Sequence, residues 1–188
     1  MLYPGRAAAP PTRNDVQHDL AATVRSAGLA RCPAVKRSAG TLLYRSDPDA
    51  VRVLLVHMGG PFWARKDEHA WSVPKGEYVE GEDPHDVAAR EFAEELGSAL
   101  PDGPEIDLGV ANQSGKSVTA YARAADFDAT SCVSNTFETE WPPRSGRLQS
   151  FPEVDRAEWF AVDEARRRLV KGQVIFLDRL LARLGQSP

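Results

Sequence analysis

AREFAEELG, Ala89–Gly97, sets three glutamates within five residues beside a single arginine. Residues three and four apart on a helix are neighbours, so Glu91, Glu94 and Glu95 share one face and repel each other. The stretch is nevertheless well prepared for a helix. Asp83 is a natural N-cap, Pro84 suits the first helical position, Asp86 sits at N3, and Gly97 stands where a left-handed C-cap belongs. These signals predict a helix over Pro84–Leu96. At about 100° per residue, Ala88, Ala89, Phe92 and Leu96 occupy one arc, expected to dock on a sheet. The glutamates occupy the adjoining arc, expected to face outward, and Arg90 lies beyond them, within reach of Glu82.

Around this helix the chain reads as strands. Thr41–Arg45 and Val51–Met58 are β-rich runs separated by the turn-forming SDPDA, a hairpin, and Trp71–Val73 is a short third strand stopped by Pro74. Downstream, Ile106–Asn112 and Lys116–Ala122 flank QSG as a second hairpin, and Glu158–Phe160 reads as a last strand. Two amphipathic helices follow, Asp163–Val170 and Gln173–Leu184. Strands before and after a central helix, with more helix at the end, predict an α/β (α+β) fold: an α/β/α sandwich around a mixed β-sheet. Residues 1–35, rich in Ala, Pro and Arg, read as a flexible basic tail with a short helix at Asp15–Ala27, and residues 36–185 as the folded domain.

Composition narrows the class. At 188 residues and 42% apolar content the chain can build a real core. No apolar run approaches the roughly 18 residues of a membrane span, and the N-terminus lacks a secretory h-region, so a cytoplasmic protein without a membrane partner is expected. Cys32 and Cys132, far apart and without a CxxC, read as two free thiols. Of the net charge of −4, residues 1–37 contribute six Lys/Arg against two Asp/Glu, or +4, leaving −8 for the rest. Gly76–Gly97 alone holds eight acids against Arg90, a net of −7, so nearly all the acidic excess sits in one segment. No basic patch with interleaved aromatics follows the tail, and no stable nucleic-acid partner is predicted. Nothing in the sequence specifies an oligomeric state.

Carboxylates crowded on one face raise each other's pKa, and a divalent cation reverses that effect. Mg²⁺ prefers oxygen ligands and is commonly held by a few carboxylates together with substrate phosphates. It neutralises phosphate charge and helps ionise water. Spacing alone is also compatible with a solvated surface face.

The wider pattern decides between these. Gly76 is followed after five residues by Glu82, then after seven by Arg90-Glu91, Phe92, Ala93, Glu94-Glu95, Leu96 and Gly97. This run of G-x5-E-x7-R-E-U-x-E-E-x-G-U, with U a bulky apolar residue, resembles the Nudix box. Only the final U departs, with Ser98 in its place, a position expected to pack. The resemblance implies a Nudix hydrolase that cleaves a nucleoside diphosphate linked to another group, with Mg²⁺ or Mn²⁺, by water attack on phosphorus. It assigns Glu94 and Glu95 as main metal ligands, Glu91 as ligand or base, the Gly76 backbone carbonyl as a further ligand, and Glu82 with Arg90 as a structural ion pair. Trp71-Ser72-Val73-Pro74-Lys75-Gly76 is similar to the W-x-x-P-K-G of the diadenosine polyphosphate hydrolase branch, with Lys75 reaching a phosphate. The proline- and serine-rich stretch of NADH-cleaving members is not evident in residues 98–125.

Two further stretches stand out. His57–Trp71, HMGGPFWARKDEHAW, reads as a long loop with two glycines and two tryptophans. Asn135–Arg147, NTFETEWPPRSGR, combines Phe137 and Trp141 with Glu138, Glu140, Arg144 and Arg147. Aromatic and arginine side chains suit base stacking and phosphate contact; Trp63 and Trp141 are equally suited to anchoring a core or loop. Glu138 or Glu140 is a candidate general base outside the box, and Arg144 a candidate phosphate contact. His57, His69 and His85 have no spacing that suggests a site. The expected function is a metal-dependent pyrophosphohydrolase acting on a small-molecule nucleotide, diadenosine polyphosphate ahead of a single nucleoside triphosphate. The alternatives are a non-catalytic domain sensing a nucleotide or an ADP-ribose compound, and house-cleaning hydrolysis of oxidised nucleoside triphosphates.

Overall fold

The strands that begin the domain separate partway along their length, and the rest of the site follows from that split. β1 (Lys36–Ser46) and β2 (Val51–Met58) pair antiparallel as predicted, but the pairing covers only Tyr44–Ser46 of β1. Beyond it, the freed edge of β2 takes β3 (Trp71–Ser72), and the freed edge of β1 takes β4 (Lys75–Tyr78), with Gly40 opposite Lys75 and Ala39 opposite Gly76. The sequence reading missed β4. The chain crosses the split at Val73–Pro74, where the Pro74 carbonyl accepts the Thr41 N–H at 3.1 Å. Only glycine fits at position 40: a Cβ there would stand 2.2 Å from the Pro74 oxygen.

In this computed structural model, residues 35–47, 50–113 and 115–186 are described. The predicted basic tail, its helix at Asp15–Ala27 and Cys32 lie outside the described residues. β6 (Lys116–Ala124) runs parallel to β1 on its other edge, β5 (Glu105–Gln113) pairs antiparallel with β6, and β9 (Val154–Ala161) takes the remaining edge of β2. The result is a seven-stranded mixed sheet. The second hairpin is thus present, and the last strand extends well beyond Glu158–Phe160.

Both faces of the central strands are covered, which is why they read as nearly continuous apolar runs. Leu42, Val53 and Leu55 pack with Trp71, Phe160 and Phe176 under α2 (Val162–Arg168) and α3 (Val174–Arg183). Leu43, Leu54 and Val56 turn the other way, against Phe92 and Leu96 of α1 (Pro84–Leu96). The fold is an α/β/α sandwich with a mixed sheet, and the two late helices begin and end within two residues of their predicted limits. No helix among the described residues is long and apolar enough to cross a membrane. Cys132 is a free thiol.

α1 has the predicted limits and caps. Asp83 accepts the His85 N–H at 2.8 Å, and Gly97 adopts a φ of 74° while its N–H bonds the Ala93 carbonyl. Its docking arc differs: Val87, not Ala89, is buried with Ala88, Phe92 and Leu96. The first turn meets Ala39 together with Tyr78 and Tyr121, which widens the contact on that side. Ser98 is exposed, so nothing packs where the motif's last apolar residue would stand. Between β6 and β9 the chain leaves the main sheet, and β7 (Thr136–Glu140) and β8 (Leu148–Pro152) form a separate two-stranded ribbon, unforeseen in Asn135–Arg147.

Candidate active site

α1 packs across β1 beside β4, so the C-terminal half of the helix meets Lys75 and Gly76 at the start of β4. Glu95 Oε2 accepts the Lys75 N–H at 3.1 Å. Burial pushes the Glu95 carboxyl up to about 8; the Lys75 charge and N–H oppose this, while the charges of Glu91 and Glu153 add to it. Glu91 lies directly against Gly76, where a Cβ would stand 1.8 Å from Glu91 Oε2. The helical face is therefore not uniformly outward, as its angular spacing suggested. The Glu91 side chain is 14% exposed and Glu95 is largely buried against β4, whereas Glu94 is 45% exposed.

Arg90 organises the outer side of this group. Its guanidinium donates to Glu82 Oε1 and to Glu91 Oε1, both at 2.9 Å, and lies 3.7 Å from Glu94 Oε1. Glu82 Oε2 accepts the Val79 N–H at 2.8 Å. That bond, followed by Arg90, holds the Glu82 carboxyl below the usual carboxylate range. The pair predicted from the motif thus forms, and Arg90 extends to the catalytic candidates.

Glu153 was missed in the sequence. It sits between β8 and β9, its N–H donating to the Asn135 carbonyl and its carbonyl accepting the Gly59 N–H, both at 2.8 Å. Its charge acts on Glu95 from outside the motif. No local spacing marks it, because both clamps come from distant parts of the chain. Glu138, Glu140 and Arg144 lie on the ribbon and make no contact with this group among the described residues. Glu140 Oε1 accepts the Gly146 N–H at 2.8 Å and closes the ribbon's tip, Glu138 is exposed on β7, and Arg144 occupies the tip itself.

Next to Gly76 a cleft of ≈ 320 Å³ is lined by Ser38, Met58, Lys75, Lys116 and Val118. At its edge Glu77 accepts hydrogen bonds from Lys116 at 2.6 Å and Lys36 at 3.1 Å, and these hold its carboxyl below the usual range. Among the described residues the histidines build no common site. His57 is fully buried between Asp155 Oδ1 at 2.7 Å and the Lys66 carbonyl at 2.8 Å, His69 bonds the Leu169 carbonyl, and His85 pairs with Glu105. Trp63 packs against the core, and Trp141 meets Phe62 edge to face.

The acids suit Mg²⁺ or Mn²⁺ in chemistry, being hard oxygen donors in excess of positive charge. Gly76 supplies a carbonyl at a position with no room for a side chain. No three acidic, histidine or cysteine side chains among the described residues already surround a common point. Arg90 engages Glu91, and the Lys75 N–H engages Glu95.

A family model described as the NUDIX domain matches residues 35–181. The chain belongs to the Nudix family. No curated protein sequence matches it significantly. Solved structures similar to this Nudix chain include the Nudix domain of Shewanella oneidensis NrtR complexed with ADP ribose, at 16% identity and a TM-score of 0.55, covering 81% of this chain and 90% of that one. A mutT/nudix family protein from Listeria innocua shares 19% identity at a TM-score of 0.53, covering 82% and 96%. A C. elegans Ap4A hydrolase in a binary complex shares 19% at 0.50, covering 80% and 98%. At these identities the likeness is one of fold.

Proposed function

We propose that this Nudix domain is a metal-dependent pyrophosphohydrolase that cleaves a phosphoanhydride bond of a nucleoside polyphosphate, with diadenosine polyphosphate favoured. The observation that carries the reading is the packing of Glu91 against Gly76 and of Glu95 against the Lys75 amide at the start of β4. A site so short of positive charge is suited to a divalent cation and a cationic phosphate grip.

In this reading Glu91, Glu94, Glu95 and the Gly76 carbonyl hold Mg²⁺ or Mn²⁺. The metal's contribution is to neutralise phosphate charge and favour ionisation of water. Lys75 contacts a phosphate oxygen as a point charge. Arg90 and Glu82 hold the helix and the preceding loop in register. Glu153 is preferred to Glu138 and Glu140 as the general base, because its charge acts on Glu95 whereas those two lie on the ribbon. Its carboxylate takes a proton from water as the water oxygen bonds to phosphorus and the bridging phosphoanhydride oxygen departs with the leaving phosphate.

The test is turnover with Mg²⁺ by Glu94→Gln and Glu95→Gln against diadenosine polyphosphates, nucleoside triphosphates and their oxidised forms, ADP-ribose and NADH. Each variant should lose about 100-fold or more. Full activity in both would sink the site. Ligand-induced thermal stabilisation with no product from any compound would favour a sensing domain.

A further inference from the structure

β2 and β9 pair in register from Arg52 opposite Ala161 to His57 opposite Arg156, and then slip: Met58 stands opposite Val154, so Asp155 is left over as a bulge. An extra residue bends its strand and re-aims the side chains beside it. Here Asp155 is turned onto the end of β2, with its Oδ1 2.7 Å from His57 Nδ1. The other ring nitrogen, Nε2, lies 2.8 Å from the carbonyl of Lys66, in the loop between β2 and β3. His57, fully buried, thus bridges β9 and that loop from the end of β2.

Both partners are acceptors, and a neutral imidazole has only one N–H to give. In a buried place the second acceptor would then face a lone pair and stay unsatisfied, which costs free energy. A ring with two N–H groups satisfies both, with the Asp155 carboxylate as its counter-charge. Trp71 packs edge-on against the ring, centroids 5.1 Å apart at 69°. The surrounding charges are tied to the same bridge. Arg156 Nη1 lies 3.6 Å from Asp155 Oδ1, and its guanidinium stands 5.0 Å over the Trp71 ring. Asp67 accepts the Trp71 Nε1–H at 3.0 Å and pairs with Arg168 of α2.

The bridge flanks Glu153. Two residues after His57, Gly59 donates to the Glu153 carbonyl at 2.8 Å, and a Cβ at Gly59 would stand 1.9 Å from the Pro152 oxygen. Two residues after Glu153, Asp155 takes the His57 ring, and between them the Val154 N–H bonds Ser134 Oγ at 3.1 Å. We infer that His57 is a positioning residue: by joining Asp155 to the Lys66 carbonyl it fixes the backbone at Glu153, the base of the proposed hydrolase, on which reading the inference rests. Sealed from solvent, His57 cannot reach a substrate, so its effect on turnover passes through Glu153.

The experiment measures turnover of diadenosine tetraphosphate, ATP and ADP-ribose with Mg²⁺ by the full chain carrying His57→Gln or Asp155→Asn, each alone and combined with Glu153→Gln. Each single substitution should lower kcat about tenfold with KM close to wild type. Neither should lower kcat further in the Glu153→Gln background. Asp155→Asn, at a side chain 26% exposed, changes charge and not size, and gives the answer where His57→Gln does not fold. Nitrogen NMR of the wild-type chain under the assay conditions should show protons on both His57 ring nitrogens, and Asp155→Asn should remove one. Losses of the same factor in both backgrounds mark a general structural defect and overturn the inference. A wild-type His57 ring with a single N–H also overturns it. No turnover by the wild type defeats the hydrolase reading and the inference with it, whereas wild-type turnover that His57→Gln and Asp155→Asn leave unchanged defeats the inference alone.

Discussion

Glu95 on α1 and Arg144 on the β7–β8 ribbon are both charged side chains singled out in the sequence, and the fold treats them in opposite ways. Glu95 is largely buried, and burial moves its carboxyl to about 8 against the opposing Lys75 charge and amide. Arg144 is exposed at a turn and engages no described neighbour. Bond-breaking chemistry needs groups whose positions are over-determined and desolvated, because electrostatic effects are strong only there. Recognition of a mobile ligand is served by groups left free to meet it. The two regions join at Glu153, which belongs to the ribbon by chain and to the acidic site by charge.

That junction offers the sharpest test of the division. Glu153→Gln should reduce turnover about 100-fold and remove the basic group from the pH–rate profile, while dinucleotide affinity in Ca²⁺ stays close to wild type. Loss of both together would show that the ribbon and the site are not separable.

Stability should divide along the same line. Gly40→Ala drives a Cβ against the Pro74 carbonyl at the split that leads into β4, and should cost about 3 kcal/mol, seen as a lower Tm. Leu148→Ser on the ribbon, 68% exposed, should change stability by no more than about 0.5 kcal/mol. Comparable losses at the two positions would mean that the ribbon is as integral to the fold as the sheet.

The smallest effect concerns proton linkage. The folded-state pKa of Glu95, about 8, exceeds its ordinary value of 4.5, so the metal-free native state binds this proton more tightly than the unfolded chain. Its contribution is fully present below pH 4.5 and is lost as pH rises to about 8. Thermal melts without divalent metal should show that decline, Glu95→Gln should flatten it, and Mg²⁺ should raise Tm more at pH 8 than at pH 5. A Mg²⁺ shift independent of pH would argue against Glu95 as the group concerned.

The parts of this molecule that were legible beforehand are those whose causes are local. Asp83, Pro84 and Gly97 specify the ends of α1 by their own backbone chemistry, and the apolar runs of β1 and β2 announce strands covered on both faces. Lys75–Tyr78 gives no such signal, because its extended form comes from the edge of β1 vacated by β2. The ribbon strands are exposed on both faces, so Thr136–Glu140 lacks the alternation that burial of one face would impose. In the site, the motif spacing exposed Glu91, Glu94, Glu95 and the Glu82–Arg90 pair. It did not reveal that Glu95 turns inward, which depends on the Lys75 amide, or that Glu153 joins them, which depends on Gly59 and Asn135.

The split between β1 and β2 has a consequence for tolerances. Trp71, 1% exposed, is separated from Lys75 by three residues, two of them, Ser72 and Val73, buried and held by the side chain of Gln173. Positional error along a chain accumulates with the number of freely rotating links, and here almost none intervene between the densest part of the interior and the Gly76 carbonyl. The start of β4 therefore inherits the stillness of the core. A change in the ribbon leaves that alignment untouched.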